Sequence, residues 1–462
     1  MDYHGYFSVV WFVNFEGALS MYAVVGLGQT GLSVIDFLNR IGATWCAMDT
    51  REAPPHIDAL RTQFPQNSIH IGPLREEDFK EVSEIVLSPG LSPHDPVLIA
   101  LAKQGFPIIG DIELFARAHR GRVVGITGSN AKSTVTTLVA KMVEKAGLEM
   151  RMGGNIGIPA LSLLPDNPNT LHVLELSSFQ LDTTDSLELE VAGILNITED
   201  HRDRYATIQE YIDSKHRIFK HAQHIVVNRE DDNTYPNDVA NIKTSFGLSV
   251  PASQTFGLLT EDNQMYLAYG DMRLLEVKEL LLQGRHNWSN ALAALAIGHS
   301  LGLDFPPMLD VLRTFSGLPH RCQLVIHKNH IAWYNDSKGT NVGATLAAIS
   351  GLQLPGKRHL ILIAGGLGKG ADFSPLRSVV KDSVKLLIVF GQDKLRIQEA
   401  LWGTTDIVDA ADLLTAIALA DEHAVSGDVV LFSPACASYD MFDNYEHRGT
   451  LYCQWVLERL AE

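Results

Sequence analysis

The stretch Gly125-Ile-Thr-Gly-Ser-Asn-Ala-Lys-Ser-Thr134 follows the apolar pair Val123-Val124 and precedes a helix-like run over 135–146. Strand, glycine-containing loop, Lys-Ser and helix is the layout of a phosphate-binding P-loop. Backbone N–H groups and the helix N-terminus take phosphate oxygens in such a loop. The candidate nucleoside triphosphate contacts are therefore Gly128, Ser129, Asn130, Ala131, Lys132, Ser133 and Thr134. Lys132 is placed to reach the terminal phosphates and Ser133 to hold Mg2+. Ala131 stands where a P-loop usually carries Gly, and its methyl group is tolerable there if φ is negative.

Upstream, Tyr22-Ala-Val-Val25 reads as a buried strand. It is followed by Gly26-Leu-Gly-Gln-Thr-Gly31, a helical run to Arg40 and a second strand over 44–48 that ends at Asp49. This is a βαβ opening with a G-x-G-x-x-G turn, and Ile85-Val-Leu87 with Ser88-Pro-Gly90 adds another strand and turn. Alone, the turn suggests NAD(P), but any nucleotide diphosphate can use the same backbone geometry. A nucleotide that serves as a handle, beside a P-loop that binds the fuel, is the other reading.

Downstream of the P-loop, 172–175, 191–196 and 225–227 read as buried strands, 245–280 as a hairpin insertion and 287–301 as a helix. Strands over 331–334, 359–364, 386–390 and 429–432 form a third unit. Breaks in the pattern divide the chain at 1–110, 111–317 and 318–462, an α/β protein with parallel sheets. Residues 1–20 precede the first convincing strand and lack the basic start of a signal peptide; they read as an extension or as an ordinary extra strand or arm.

The 462 residues exceed what one core supports and suit about three domains. Hydrophobic residues make up 46% and charged residues 20%, an ordinary globular balance. A formal net charge of −17 disfavours a nucleic-acid partner. No apolar run approaches a membrane span. Cys46, Cys322, Cys436 and Cys453 are scattered, which suits a reducing cytosol rather than a disulfide or zinc framework.

Chemistry-bearing residues recur at strand ends. In Leu174-Glu-Leu-Ser-Ser-Phe-Gln180, Glu175 is placed to hold Mg2+, or to cap a helix or pair with a cation. Asn196-Ile-Thr-Glu-Asp-His-Arg-Asp-Arg204 sets His201 among acids, as a charged surface loop also would. Lys215 taken alone is an ordinary helix lysine. Arg321, in Gly317-Leu-Pro-His-Arg321, offers a fork for phosphate oxygens. Asn335-Asp-Ser-Lys-Gly-Thr-Asn341, Gly365-Gly-Leu-Gly-Lys-Gly370 and Ser433-Pro-Ala-Cys-Ala-Ser-Tyr-Asp440 together describe strand ends that face a small anionic ligand.

Taken together and in order, G-I-T-G-S-N-x-K-S-T, L-E-L-S-S-F-Q-L, N-I-T-E-D-H-x-D-R, G-L-P-H-R, N-D-S-K-x-T-N and S-P-A-C-A-S resemble the Mur ligases, most nearly those that add D-glutamate. The resemblance covers roughly residues 21–462. It implies a Rossmann-like N-terminal domain, a central P-loop ATPase domain and a Rossmann-like C-terminal domain. It implies an ATP-dependent acid–amino-acid ligase of peptidoglycan precursor synthesis, cytoplasmic and monomeric. The implied substrates are UDP-N-acetylmuramoyl-L-alanine and D-glutamate.

By the same resemblance, Gly28, Gln29, Thr30, Asp49, Thr50, Arg51, Ser88, Gly90 and Asn155 are expected to take the UDP substrate. Asn287, Arg321 and Asp336 match ATP-contacting positions, and Lys338, Thr340, Lys369, Ser438 and Tyr439 the region that receives D-glutamate. Ser133, Glu175, His201 and Lys215 match the surroundings of two Mg2+ ions, with Lys215 carbamylated; Lys132, Glu175, His201 and Lys215 are the expected catalytic set. Leu367 stands where an acid is expected, which bears on how Lys369 is oriented. A sibling amino-acid-adding or folylpolyglutamate-type ligase and an NAD-dependent oxidoreductase are the competing functions.

Overall fold

A computed structural model describes residues 21–461 apart from 203, 237–241, 283 and 355. The expected extension over 1–20 lies outside the described residues. Three sheets follow one another along the chain.

The first has five parallel strands, in the order Ile69–Ile71, Thr44–Asp49, Met21–Val25, Glu84–Leu87 and Ile108–Ile109. Met21–Val25 and Thr44–Asp49 are buried except at their first residues, so their apolar runs need no polar alternation. The helix Gln29–Arg40 crosses between them and buries Val34, Ile35, Phe37 and Leu38. Its glycine turn is tight: a Cβ on Gly31 would lie 1.9 Å from the Gly26 carbonyl oxygen.

The central sheet has nine strands. Seven are parallel, from Met150–Gly154 at one edge through Leu171–Glu175, Arg122–Thr127, Leu189–Ile194, Ala222–Asn228 and Ile242–Phe246 to Phe256–Glu261. The insertion expected at 245–280 is Phe256–Glu261, Gln264–Tyr269 and Met272–Glu276, of which the last two extend that sheet as antiparallel strands. The helix Arg285–Ser300 buries Ala291 to Gly298 without interruption, and the P-loop helix Lys132–Lys145 packs beside it in one apolar cluster. Small alanine side chains allow that close approach.

The third sheet runs Gln323–Lys328, Ile331–Asn335, Val429–Phe432, Leu360–Gly365, Val384–Phe390 and Asp406–Asp409, parallel except for its first strand.

Arg40 ties the first unit to the second by donating to the carbonyls of Leu164 (2.7 Å) and Leu161 (2.9 Å). Gly110 donates to the Thr183 carbonyl at 3.0 Å, and Asp111 accepts from Gln180 at 3.1 Å. Among the described residues, no helix is long and apolar enough to cross a membrane.

Candidate active site

Ala131 precedes the helix Lys132–Lys145 with φ 66° and ψ −2°, so the negative φ that would make its methyl group tolerable is not what the chain adopts. The P-loop needs a left-handed residue here to turn the chain into the helix, and Ala supplies it at a cost of roughly 1–2 kcal/mol. Packing of Ala131 against the central apolar cluster offsets part of that cost. Neighbouring residues fix the loop. Ser129 N–H donates to the Asn196 carbonyl and Asn130 N–H to Asn196 Oδ1, both at 2.8 Å. Ser129 Oγ donates to the Thr198 carbonyl at 2.9 Å.

Inside the loop lie two amines. Lys132 Nζ donates to the carbonyls of Gly128 (2.8 Å) and Ser129 (3.0 Å). Lys215, in the helix Ile208–His216, is 1% exposed; its Nζ donates to Gly128 O at 3.0 Å and sits 3.4 Å from Thr127 Oγ1. Burial first, and the charge of Lys132 second, hold the Lys215 amine well below the ordinary lysine range. Lys132 is lowered too, again chiefly by burial. The Tyr211 ring lies 4.6 Å from Lys215 Nζ, its hydroxyl is 3.2 Å from Ser129 Oγ, and His201 stands 6.2 Å from it on a separate loop.

Glu175 ends the strand beside the P-loop strand and is 3% exposed. Its Oε1 accepts from Asn155 Nδ2 at 2.7 Å, while its buried Oε2 has no hydrogen-bond partner. An anionic oxygen left bare at that depth fits Mg2+, which takes one or two carboxylates and completes its shell with phosphate and water. Among the described residues no three His, Cys, Asp or Glu side chains form a ready cage, consistent with that type of site. Asn155, expected to take the UDP substrate, stands against this carboxylate.

Ser133 Oγ accepts from Arg321 Nη2 at 2.6 Å, a contact that spans the second and third units. Asn341 reinforces it, donating to Asp200 Oδ2 at 3.0 Å and to Asn130 Oδ1 at 3.4 Å. The connecting segment takes left-handed values at Gly317 (φ 95°), His320 (φ 63°) and Cys322 (φ 45°). His320 belongs to the third unit: its carbonyl accepts from Lys338 N–H at 3.0 Å, its N–H donates to Gln323 Oε1 at 3.0 Å, and its Nδ1 is 2.9 Å from Asn335 Nδ2.

His201 has φ 53°, and its ring meets Phe179 edge-on at 4.7 Å. It therefore sits at a tight turn rather than on a loosely solvated loop.

In the first unit Asp49 is already engaged. Its Oδ2 accepts from Leu27 N–H (2.7 Å) and Arg51 Nη2 (2.7 Å), and its Oδ1 from Arg51 N–H (2.9 Å) and Nε (2.9 Å). Asp49 braces the glycine turn and aims Arg51, and the exposed Gln29 and Thr50 flank it. Ser88 Oγ donates to Gly26 O at 2.8 Å, which ties the turn of Ser88 and Gly90 to that of Gly28 and Thr30.

In the third unit Asp336 is likewise engaged, accepting from Ser433 Oγ (2.7 Å) and Cys322 N–H (3.1 Å); burial pushes its carboxyl up to about 6. Lys338 lies with Nζ 3.7 Å from the centre of the Tyr445 ring; burial, then the charge of Arg321, pushes it down to about 8. Thr340 is half-buried beside it and Ser438 is buried. Leu367 and Ala437 exchange backbone hydrogen bonds (3.0 and 2.9 Å), which zip their two loops together. With no acid at 367, Lys369 instead lies 5.9 Å from the exposed Tyr439 ring. Asn287 stands in the first turn of Arg285–Ser300. Tyr211, Tyr445 and Arg448 escaped the sequence reading. Arg448 is fully buried and binds the carbonyls of Ser337 and Cys436, joining the loops that carry Lys338 and Ser438. Cation and ring at 338 and 445 are far apart in sequence, and only the fold pairs them.

A P-loop whose lysine, a bare buried carboxylate and an arginine from the following unit converge has the layout of an enzyme that handles a nucleoside triphosphate. Three family models match in order: Mur ligase MurD-like N-terminal domain over 20–110, Mur ligase middle domain over 126–298, and Mur ligase glutamate ligase domain over 320–436. The chain belongs to the Mur ligase family. It is 49% identical to UDP-N-acetylmuramoylalanine--D-glutamate ligase of Pseudomonas putida over 93% of this chain and 96% of that protein. The same identity, over 94% of this chain and 97% of the relative, is found with the Pseudomonas aeruginosa protein of that name. The solved UDP-N-acetylmuramate-alanine ligase of Thermotoga maritima shares the fold, with a TM-score of 0.60 at 18% identity, covering 96% of this chain and 99% of that one.

Proposed function

We propose that this chain joins D-glutamate to UDP-N-acetylmuramoyl-L-alanine at the expense of ATP, in cytoplasmic peptidoglycan precursor synthesis. The observation that carries the mechanism is the Arg321–Ser133 bond, which brings the third unit onto the P-loop. Near 49% identity to relatives named for this reaction supports the choice of amino acid.

Hydroxide is a poor leaving group, so the carboxylate of the UDP substrate must first be activated. A carboxylate oxygen attacks the γ-phosphorus, ADP leaves, and an acyl phosphate forms. The neutral amine of D-glutamate then attacks the acyl carbon, and the tetrahedral intermediate expels inorganic phosphate. Lys132 and Arg321 would stabilise charge on the transferring phosphoryl group. Ser133 and Glu175 would hold one Mg2+, and His201 with a carbamylated Lys215 a second. Bound Mg2+ would add positive charge where phosphoryl oxygens gather. A buried, neutral Lys215 amine is the form that adds CO2, and carbamylation would turn it into an oxygen ligand.

The glycine turn, with Arg51, Ser88 and Gly90, is our candidate for the UDP moiety. The loops of Lys338, Thr340, Lys369, Ser438 and Tyr439 are the candidate for D-glutamate. Domain limits at 110/111 and 317/318 and a monomeric state complete the proposal.

Phosphate release measured with ATP and Mg2+ tests it. Release should require both UDP-N-acetylmuramoyl-L-alanine and D-glutamate. Release that persists without D-glutamate, or that prefers another amino acid in its place, would overturn the assignment.

A further inference from the structure

We propose that Arg204 is a positioning residue that couples the UDP-substrate turn of the first unit to the His201 loop of the second. Its Nη1 donates to the Leu91 carbonyl at 2.8 Å, between residues 113 apart in sequence, and lies 3.5 Å from the Pro89 carbonyl. Its guanidinium carbon stands 4.5 Å from the centre of the Phe179 ring, the same ring that His201 meets edge-on at 4.7 Å. The backbone closes the turn, since Arg204 N–H and Tyr205 N–H both donate to the His201 carbonyl, at 2.9 and 3.0 Å.

The other end of this chain of contacts reaches the glycine turn. Leu91 N–H donates to the Ser88 carbonyl at 3.0 Å, and Ser88 Oγ donates to Gly26 O at 2.8 Å. A substrate that fixes the glycine turn and the 88–91 loop thereby fixes the acceptor of Arg204, and Arg204 fixes the ring against which His201 rests. The guanidinium suits this role because its in-plane N–H groups bind carbonyls while its face stacks on an aromatic ring. A lysine ammonium offers the charge without the flat face. Linkage makes the coupling reciprocal, so that order in the His201 loop favours substrate binding as much as the reverse.

The inference rests on the reading of the glycine turn as the UDP-substrate site. Its test uses the full chain as wild type, R204A, R204K, F179L and the R204A/F179L double variant. Measured for each are kcat, the KM for UDP-N-acetylmuramoyl-L-alanine, the Mg2+ concentration for half-maximal rate, and the thermal shift given by ADP alone. R204A should raise both the substrate KM and the Mg2+ requirement about tenfold, with the ADP shift unchanged. R204K should recover only a small part, and the double variant should resemble R204A, because both changes cut the same link.

A merely structural role would lower thermal stability and leave both constants at wild-type values, which would overturn the coupling. Effects of R204A and F179L that multiply in the double variant would overturn it as well. If R204A does not fold, R204K and F179L carry the same comparison. A wild type that releases no phosphate with the UDP substrate overturns the substrate reading and the coupling together; a wild type that does, beside an R204A with unchanged constants, overturns the coupling alone.

Discussion

Lys132 and Lys215 direct their side-chain nitrogens at one acceptor, the Gly128 carbonyl oxygen, from 2.8 and 3.0 Å. Burial first, and the repulsion of two ammonium ions so placed second, favour loss of the Lys215 proton. On the proposed mechanism the two amines face different tasks, Lys132 as a cation for phosphate and Lys215 as the nucleophile that adds carbon dioxide. K215A should lose nearly all phosphate release and regain part of it when formate is supplied, because a small carboxylate can enter the space left by the side chain. K132A should gain nothing from formate. Full activity of K215A without any additive would remove the carbamate from the mechanism.

Ala131 offers a test of backbone strain. A131G relieves roughly 1–2 kcal/mol of left-handed cost and adds about 0.5–1 kcal/mol of chain entropy. Thermal unfolding should therefore move by only a few degrees, upward on balance, with nucleotide affinity retained. A131V puts a β-branched residue at φ 66° and should weaken both folding and ADP binding, as read by calorimetry.

Removal of the guanidinium at 321 breaks the bond to Ser133. We expect R321A to lower kcat about 100-fold, a usual loss for one donor to a developing oxyanion. R321K should recover part of this, since it restores charge without the fork. Steady-state kinetics at saturating substrates provide the measurement.

Lys338 is pushed down to about 8, so its charge is present below that pH and lost above it. If its ammonium receives a carboxylate of D-glutamate, the KM for D-glutamate should climb as pH rises through 8. Arginine keeps its proton throughout this range. K338R should flatten that climb between pH 8 and about pH 9.5, whatever its effect at neutrality. A climb of unchanged slope in K338R would place the titration elsewhere.

Asp111 is buried with Oδ1 unpartnered, and burial pushes its carboxyl up to about 6. A carboxyl raised in the folded state binds its proton more tightly there than in the unfolded chain. The folded state is thus penalised above pH 6, and the penalty fades as pH falls toward the ordinary carboxylate value. D111N cannot ionise, so from pH 4.5 to pH 7.5 it should gain about 2 kcal/mol on the wild type. Urea unfolding at several pH values gives the comparison, and a constant difference would show that Asp111 stays charged.

The parallel strands were legible because both faces are covered and their residues run apolar without alternation, as in 22–25 and 360–364. Short edge strands such as Ile108–Ile109 and Asp406–Asp409 carry too few residues to give a period. Motif residues were found where chemistry demands a residue type at a fixed offset, as with Lys132 and Ser133. Asp49 and Asp336 matched their motifs, yet their oxygens brace loops, and only the hydrogen bonds reveal it. The left-handed φ of Ala131 was invisible because the sequence presents an ordinary residue where the turn demands an unusual conformation. Tyr445 and Arg204 owe their positions to contacts between distant segments, about which local pattern carries no information.

The anchoring of His320 within the third unit has a mechanical consequence. On the other side, Phe315 N–H is held by the Val311 carbonyl at 2.9 Å, at the end of the helix Phe305–Thr314. What lies between is four residues, one of them a proline with a fixed φ. The third unit hangs on a short axle rather than a tether. If the third unit swings during the reaction, so short a link leaves it few arcs, and Arg321, next to the anchored His320, would meet the phosphate loop from the same bearing each time.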